Sequence, residues 1–415
     1  MNRQRIKSLM ELREILDKIE RSREDITKTM SAMIRIPALA PENGGVGEGK
    51  RADMLIKCLE GYDSVIRVDV PDETDPSIMR PNILAKKNGR EKGTVWIIAH
   101  MDTVPAGDLN DWDTPPFEPT VKDGKIYGRG TEDNGQAVIS SMFASKFILK
   151  ETLTKRSIGI AYVADEETSS RMGIEYLLDH GYFGKDDVFL VPDWGSSDGT
   201  MIDVTEKNLV WLQFDIFGKS THGSTPNHGL NAYRIGTHFL SELMDVFEVE
   251  YCKGDLYFDP PVSTFEPTKS PQTVTNINTI PGKYEFSMDI RVIPEYNIDD
   301  IIRTAKDLAK RFESETGARI SVTEIQRHTS GKASSTDTPE FNAFVEAIES
   351  IIGKRPKAMG VGGATCANFF RAKGYDAYVW EMGGGTLHGP NEYVVIDNIL
   401  IDAKVFATFL FKLCV

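Results

Sequence analysis

The chain has 415 residues, of which 40% are hydrophobic and 27% charged, values that are typical of a globular protein with a substantial apolar core. This length favours about two domains. A net charge of −14 argues against nucleic acid and anionic membranes as partners. No apolar run approaches the roughly 20 residues that are needed to cross a bilayer.

The N-terminal segment and the cysteines both favour a cytoplasmic protein. The first twenty residues are charged throughout and lack the apolar centre of a signal peptide. The four cysteines are scattered without CxxC spacing, so they predict neither a disulfide framework nor a cysteine zinc site. They are Cys58, Cys252, Cys366 and Cys414.

The first part of the chain predicts helices on either side of a glycine-rich loop. Residues 4–35 carry apolar side chains at helical spacing, and Pro37 ends this stretch. The segment PENGGVGEGK at 41–50 predicts a loop that leads into a helix at about 50–60. It lacks the GK[ST] ending of a phosphate loop, so phosphate binding is not expected there.

Three short apolar runs then predict strands that are buried on both faces of a sheet. They are TVWIIAH at 94–100, SIGIAYVADEE at 157–167 and VFLVPDWG at 188–195. A helix is predicted between the first two, at 134–150, and this alternation is typical of an α/β sheet. Each run carries His, Glu or Asp near its C-terminal end, and in open α/β sheets ligands bind at that edge.

The middle of the chain, from 209 to 326, has a different pattern. NLVWLQFDIFG and KYEFSMDIRVI alternate as strands with one buried face, and a helix at 297–317 and the strand ARISVTEIQ follow. The order strand–helix–strand–strand–helix–strand predicts a compact α+β insertion. Because α/β patterning returns afterwards, we expect one larger domain formed by 1–208 and 327–415, with 209–326 inserted into it.

Five residues at strand ends or glycine-bounded turns share the chemistry of metal ligands. Imidazole and carboxylate together suit borderline cations such as zinc, and a bridging carboxylate can hold two ions close together. A lone residue of either type is more often a structural residue than a ligand. The five are His100, Asp133, Glu167, Asp193 and His388.

The motifs HMDTVP, GRGTEDNG, DEE and HGPNE, in this order, resemble those of the metallopeptidase family of acetylornithine deacetylase, succinyl-diaminopimelate desuccinylase, aminoacylase and glutamate carboxypeptidase. The resemblance covers nearly the whole chain. It implies an α/β fold, with a mixed-sheet, zinc-peptidase-like catalytic domain and an inserted, ferredoxin-like α+β domain for dimerisation or lid closure.

The resemblance also implies how the five ligands are shared between two divalent cations, zinc being preferred over cobalt or manganese. Asp133 would bridge the ions, His100 and Asp193 would complete one site, and Glu167 and His388 the other. A cis peptide bond is expected between Asp133 and Asn134.

Two further carboxylates have predicted catalytic roles. The resemblance makes Glu166 the general base and acid beside metal-activated water, whereas the alternative is a surface carboxylate next to a ligand. Asp102, two residues after His100, is placed to accept the second imidazole N–H. The alternative for Asp102 is a helix cap or a turn.

The insertion and the C-terminal segment supply predicted substrate contacts. By resemblance, His222 reaches the active site of a partner subunit and stabilises the oxyanion, and His228 is a weaker candidate. Arg291 and Asn278 match carboxylate-binding residues, and a bidentate guanidinium suits that task. The alternative for Arg291 is a surface salt bridge. Gly363, in VGGATCANFF, belongs to a glycine loop that resembles a substrate cradle.

These observations predict a di-zinc amidohydrolase that cleaves an amide bond next to a free carboxylate, as an N-acyl-amino-acid deacylase or a small-peptide peptidase. A homodimer through the inserted domain is expected. The alternative is a non-catalytic metal-binding or ligand-binding protein of the same fold. Many relatives carry an acidic residue in the glycine loop, where this chain has Cys366, Ala367 and Asn368, so the resemblance does not transfer a particular substrate.

Overall fold

A computed structural model describes residues 3–149, 154–271 and 274–415, and Lys150, at the end of one predicted helix, lies outside this part. The α-helices of the described residues are α1 Arg3–Arg21, α2 Arg23–Ile34, α3 Gly49–Ile56, α4 Gln136–Leu149, α5 Ile174–Asp179, α6 Ala232–Glu250, α7 Ile298–Thr316, α8 Pro339–Ile352, α9 Ala367–Ala372 and α10 Ile396–Cys414. No helix of this part is both long enough and apolar enough to span a membrane.

The first strands along the chain are β1 Ser64–Pro71, β2 Met79–Lys87, β3 Thr94–His100, β4 Thr120–Lys122, β5 Lys125–Tyr127, β6 Ser157–Val163, β7 Val188–Val191 and β8 Met201–Glu206. Those that follow are β9 Asn208–Phe217, β10 Thr221–His222, β11 Thr264–Lys269, β12 Thr279–Ile280, β13 Lys283–Val292, β14 Arg319–His328, β15 Lys357–Val361, β16 Ala377–Val379 and β17 Tyr393–Val395.

The described chain divides into two compact units. The larger one comprises residues 1–204, 333–358 and 365–415, and the smaller one comprises 205–332 and 359–364. The predicted domain boundaries differ slightly from those of the two units. Strand β14 runs on to His328, and residues 359–364 form backbone hydrogen bonds with other residues of the smaller unit. There, Lys207 N–H donates to Val361 O at 3.0 Å and Gly360 N–H to Tyr257 O at 2.6 Å. The predicted lid or dimerisation role of the insertion stays a prediction.

The main sheet has eight strands in the order β1-β2-β6-β3-β7-β16-β8-β15. Strand β3 is parallel to β6 and β7, whereas β2 is antiparallel to β6. Every residue of β3 and of β6 is buried, as their continuous apolar runs predict. The prediction of an α/β domain with a mixed sheet is confirmed.

Helices cover both faces of this sheet. Helices α4 and α10 pack on one face of β3 and β6, while α9 and the side chains around Phe189 and Phe370 form the core on the other. Gly159 of β6 lies beside Trp96 of β3, and a Cβ at Gly159 would be 2.2 Å from the indole ring. A larger residue is therefore excluded at this position.

The smaller unit contains a four-stranded antiparallel sheet in the order β11-β13-β9-β14. Alternate residues of β9 and β13 are buried, and they form one core with the apolar sides of α6 and α7. The element order agrees with the predicted strand–helix–strand–strand–helix–strand pattern. The residues between those in the core, including Arg291, lie on the opposite face of the sheet.

Candidate metal centre

Polar side chains of the larger unit meet at the carboxyl ends of β3, β6 and β7. His100 is the last residue of β3 and is buried. Strands β6 and β7 end earlier than the sequence predicts, at Val163 and Val191, so Glu167 and Asp193 lie in the loops that follow. The chain leaves β6 at Asp165, whose φ is 66°, outside the extended range of a strand.

Asp133 lies between two histidines that are far apart in the sequence. Its Oδ1 atom is 2.8 Å from Nε2 of His100, and its Oδ2 atom is 2.9 Å from Nε2 of His388. The peptide bond between Asp133 and Asn134 is cis, in agreement with the resemblance. One carboxylate thus presents each of its oxygens to a different imidazole.

Two groups of three potential ligands share this carboxylate. They are His100, Asp133 and Asp193, and Asp133, Glu167 and His388, and within each group the ligand atoms lie within 4.8 Å of one another. Nε2 of His100 is 3.4 Å from Oδ1 of Asp193, and Nε2 of His388 is 3.1 Å from Oε2 of Glu167. The structure therefore brings all five predicted ligands together.

The electrostatics of the centre fit bound cations. Burial, followed by the charge of Asp133, raises the pKa of Glu167 to about 7, and burial and Asp193 raise the pKa of Glu166 well above its usual range. The hydrogen bond to Asp133 and then that to Glu167 raise the pKa of His388 to about 10. Oε1 of Glu167 is buried without a hydrogen-bond partner among the described residues. Both the excess of carboxylates and this free oxygen suit divalent cations.

Asp102 holds the segment that carries the two adjacent glutamates. Its Oδ1 accepts the N–H of Glu166 at 3.1 Å, and its Oδ2 accepts that of Glu167 at 3.0 Å. Nδ1 of His100 forms its hydrogen bond with the backbone oxygen of Asp102 at 3.2 Å, while the predicted partner, the Asp102 carboxylate, approaches the same nitrogen to 3.4 Å through Oδ1. Its partners on the chain after β6 are distant in sequence, so Asp102 is not the cap of its own turn.

The side chain of Asn134 has a role in the centre that the sequence did not predict, since only its cis peptide bond was expected. Its Oδ1 accepts the N–H of His100 at 3.2 Å. Its Nδ2 donates to Pro192 O at 2.7 Å and to Oδ1 of Asp193 at 2.8 Å. It thereby ties the end of β3 to the loop after β7. The available signal was a polar amide between Asp133 and the largely buried helix α4.

The four predicted substrate contacts lie in the smaller unit. They form two pairs of neighbouring residues, His222 with Asn278 and Arg291 with the loop of Gly363. His222 ends β10, which pairs with β12, and Gly223 N–H donates to Asn278 O at 2.7 Å. His222 is exposed, and its Nδ1 lies 2.8 Å from Oγ of Ser224. His228 ends the short 3-10 turn that follows. His222 and Asn278 are thus close together.

Arg291 and the glycine loop form the second pair. Nη1 of Arg291 donates to Gly362 O at 2.8 Å, next to Gly363. Its Nε and Nη2 atoms bind the Asp289 carboxylate at 2.7 Å and 3.1 Å. One edge of the guanidinium is therefore already paired, while Gly363 is exposed and borders open space.

Comparison with known proteins gives a coherent set of matches. The sequence model of peptidase family M20/M25/M40 matches residues 96–412. An uncharacterized metallohydrolase of Methanocaldococcus jannaschii is 36% identical over 402 residues, which cover 92% of this chain and 98% of the relative. The succinyl-diaminopimelate desuccinylase of Buchnera aphidicola is 28% identical over 345 residues, which cover 81% and 89% of the two chains.

The fold matches that of solved peptidases as well. The dipeptidase Dug1p of Saccharomyces cerevisiae superimposes with a TM-score of 0.73 at 18% identity, and the match covers 97% of this chain and 98% of that one. At 18% identity, this match is evidence of a shared fold only.

Proposed function

This chain belongs to peptidase family M20/M25/M40 and is a metal-dependent amide hydrolase, and from that premise we propose that it is a di-zinc enzyme which cleaves an amide bond next to a free carboxylate. Its substrate is an N-acyl amino acid or a short peptide. The observation that carries the proposal is the Asp133 carboxylate, whose oxygens lie 2.8 Å and 2.9 Å from the imidazoles of His100 and His388. A carboxylate so placed can serve two cations at once.

The five predicted ligands would hold two cations. His100, Asp133 and Asp193 would form one site, and Asp133, Glu167 and His388 the other. Bound divalent cations supply Lewis acidity to the centre. The mixture of imidazole and carboxylate ligands favours zinc among the common cations.

Glu166 is the proposed general base and acid. It lies in the loop after β6, and Asp102 accepts its N–H at 3.1 Å. With its neighbour Glu167 assigned to a cation, the Glu166 carboxylate is left to take a proton from the attacking water. It then returns this proton to the nitrogen of the leaving amine.

We assign recognition of the substrate carboxylate to Arg291, assisted by Asn278 and the glycine loop at Gly363. Asp289 and Gly362 O fix the orientation of the guanidinium, and the remaining Nη protons are available to a carboxylate. His222 is proposed to stabilise the oxyanion of a partner subunit in a homodimer formed through the smaller unit. Light scattering tests this assembly, since a fully active monomer contradicts it.

A panel of matched substrates tests the function. Zinc-loaded protein is incubated with N-acetyl and N-succinyl amino acids and dipeptides, each paired with an analogue in which the terminal carboxylate is an amide. We expect turnover of the free acids, a large loss with the amides, and an increase in KM in Arg291→Met. Equal hydrolysis of acids and amides contradicts the proposed recognition. The panel also separates deacylase from peptidase activity.

The variant Glu166→Gln tests the proton transfer. It keeps the volume of the side chain and removes the base, so we expect kcat to fall by about 10²–10⁴-fold. Binding of two cations, measured by metal analysis, is expected to be unchanged. An active Glu166→Gln variant contradicts the role of this residue.

We also propose that the protein is cytoplasmic.

A further inference from the structure

Asp133 and His388 both lie in irregular segments of the chain. Asp133 belongs to the turn Thr131–Gly135, where its φ and ψ of −106° and 101° are not helical. His388 has a φ of 59°, in the left-handed region. Neither residue is fixed by the hydrogen bonds of a strand ladder, so other groups must hold the two segments at the required separation.

The Glu132 side chain reaches from the first segment to the second. Its Oε1 accepts the N–H groups of Gly384 and Gly385, each at 2.7 Å. Its Oε2 accepts the N–H of Thr386 at 2.7 Å and also the hydroxyl of that residue. A Cβ on Gly384 would lie 2.9 Å from Oε1, so only glycine allows this approach. Glu132 is buried, and four donors surround it.

The Glu392 side chain reaches in the opposite direction. Its Oε1 accepts the N–H of Glu132 at 2.9 Å and that of Asp133 at 3.1 Å. Its Oε2 accepts the N–H of Gly130 at 2.9 Å and a proton from Nη1 of Arg129 at 2.6 Å. Glu392 is completely buried. It therefore fixes the backbone of the segment that carries Asp133.

Arg129 closes the arrangement. While Nη1 binds Glu392, Nη2 donates to His388 O and Gly389 O, each at 3.1 Å. The backbone of His388 is thus bonded to a residue of the first segment. Burying a carboxylate is costly unless charge and hydrogen bonds compensate it, and here each carboxylate has four donors.

We propose that Glu132 and Glu392 are positioning residues that form a reciprocal clamp between the segments of Asp133 and His388. The clamp sets the geometry of the site formed by Asp133, Glu167 and His388. The other site depends on it less, because β3 carries His100 and the loop of Asp193 follows β7, so this site shares one ligand, Asp133, with the clamped segments. This inference rests on the proposed function, since it takes Asp133 and His388 to be ligands.

The clamp is tested by titrating metal-stripped protein with Zn²⁺ in a calorimeter, first the wild type and then Glu392→Gln and Glu132→Gln. Glutamine has the same size, but its NH₂ group would face backbone N–H donors. We expect two binding events in the wild type and, in each variant, a loss of ten-fold or more in the affinity for the second cation. The first event is expected to change much less.

Asp187→Asn is the matched control. The Asp187 carboxylate accepts the N–H of Thr94 at 2.7 Å and that of Gly184 at 2.8 Å, at the opposite end of β3. This variant loses the same kind of bond, so a merely structural effect would appear in it too. We expect both of its zinc affinities to match those of the wild type. Thr386→Val removes the hydroxyl donor to Glu132 together with the hydrogen bonds of that hydroxyl to the Tyr393 backbone, but it keeps the backbone donors to Glu132, and it serves if the glutamine variants do not fold.

The possible results separate the two proposals. A wild type that binds no second cation contradicts the proposed function and the clamp together. A wild type with two cations, combined with variants of unchanged affinities, contradicts the clamp alone. Equal weakening of the second event in the Asp187→Asn control also overturns the clamp, because the effect would then follow from lost stability.

Discussion

Replacing Asp102 by asparagine tests how far activity depends on the carboxylate that holds Glu166 and Glu167. The carboxylate accepts their N–H groups at 3.1 Å and 3.0 Å, whereas asparagine offers a single side-chain oxygen. One buried N–H then faces an NH₂ group. Since a hydrogen bond to a charged acceptor contributes about 1.5–3 kcal/mol, the free energy of unfolding should fall by about 2–3 kcal/mol.

The same loss should appear in catalysis, because it affects the segment of the proposed base. A loss of about 2–3 kcal/mol in the transition state corresponds to a decrease of about 30- to 150-fold in kcat/KM. Steady-state kinetics of Asp102→Asn at a zinc content equal to that of the wild type measures this decrease, and urea unfolding measures the stability. Asp187→Asn serves as control and should lose stability without losing kcat/KM. A variant with the kcat/KM and urea midpoint of the wild type would refute the reasoning.

Three other predictions concern stability. Gly159→Ala should lower the free energy of unfolding in urea by at least about 1–3 kcal/mol, because the added Cβ would lie 2.2 Å from Trp96. The control Gly49→Ala should leave this free energy almost unchanged, because its Cβ would come no closer than 4.0 Å to its surroundings. Burial raises the pKa of Asp402 from an ordinary 3.8 to about 7. The protonated side chain therefore stabilises the fold below pH 4, and this stabilisation is lost as the pH rises through 7. Asp402→Asn should therefore flatten the decline between pH 4 and 7 in urea titrations, and an unchanged slope would count against this assignment. Removing zinc with a chelator should lower Tm, because a cation at one hundred times its Kd adds about 2.7 kcal/mol per site to the free energy of unfolding. An unshifted melting curve would mean that no cation is bound.

The strands and the meeting of their polar ends could be predicted from the sequence. Strand β3 is a continuous apolar run that ends on His100, and parallel neighbours must present their carboxyl ends at one edge of the sheet. The roles of the residues that meet there stay predictions, which the experiments above address. Their proximity follows from the pattern, because β6 and β7 lie on either side of β3.

Other features depend on distances that no local pattern contains. Asn134 bonds to Asp193 because two loops happen to approach each other, and its neighbours in the chain give no sign of this partner. By contrast, the pairing of Arg291 with Asp289 was readable, since residues two apart on a strand share a face. The assignment of residues 359–364 to the smaller unit depends on backbone hydrogen bonds and was out of reach.

The order in which the chain supplies its ligands has a consequence for biosynthesis. Four of the five proposed ligands belong to the first 204 residues, but His388 lies in the last segment of the larger unit, beyond the whole insertion. If the proposed assignment holds, a growing polypeptide on the ribosome carries an incomplete pair of cation sites until nearly all of it has been made. Contacts between such distant parts of a chain form slowly, so acquisition of the second cation should be a late event in maturation.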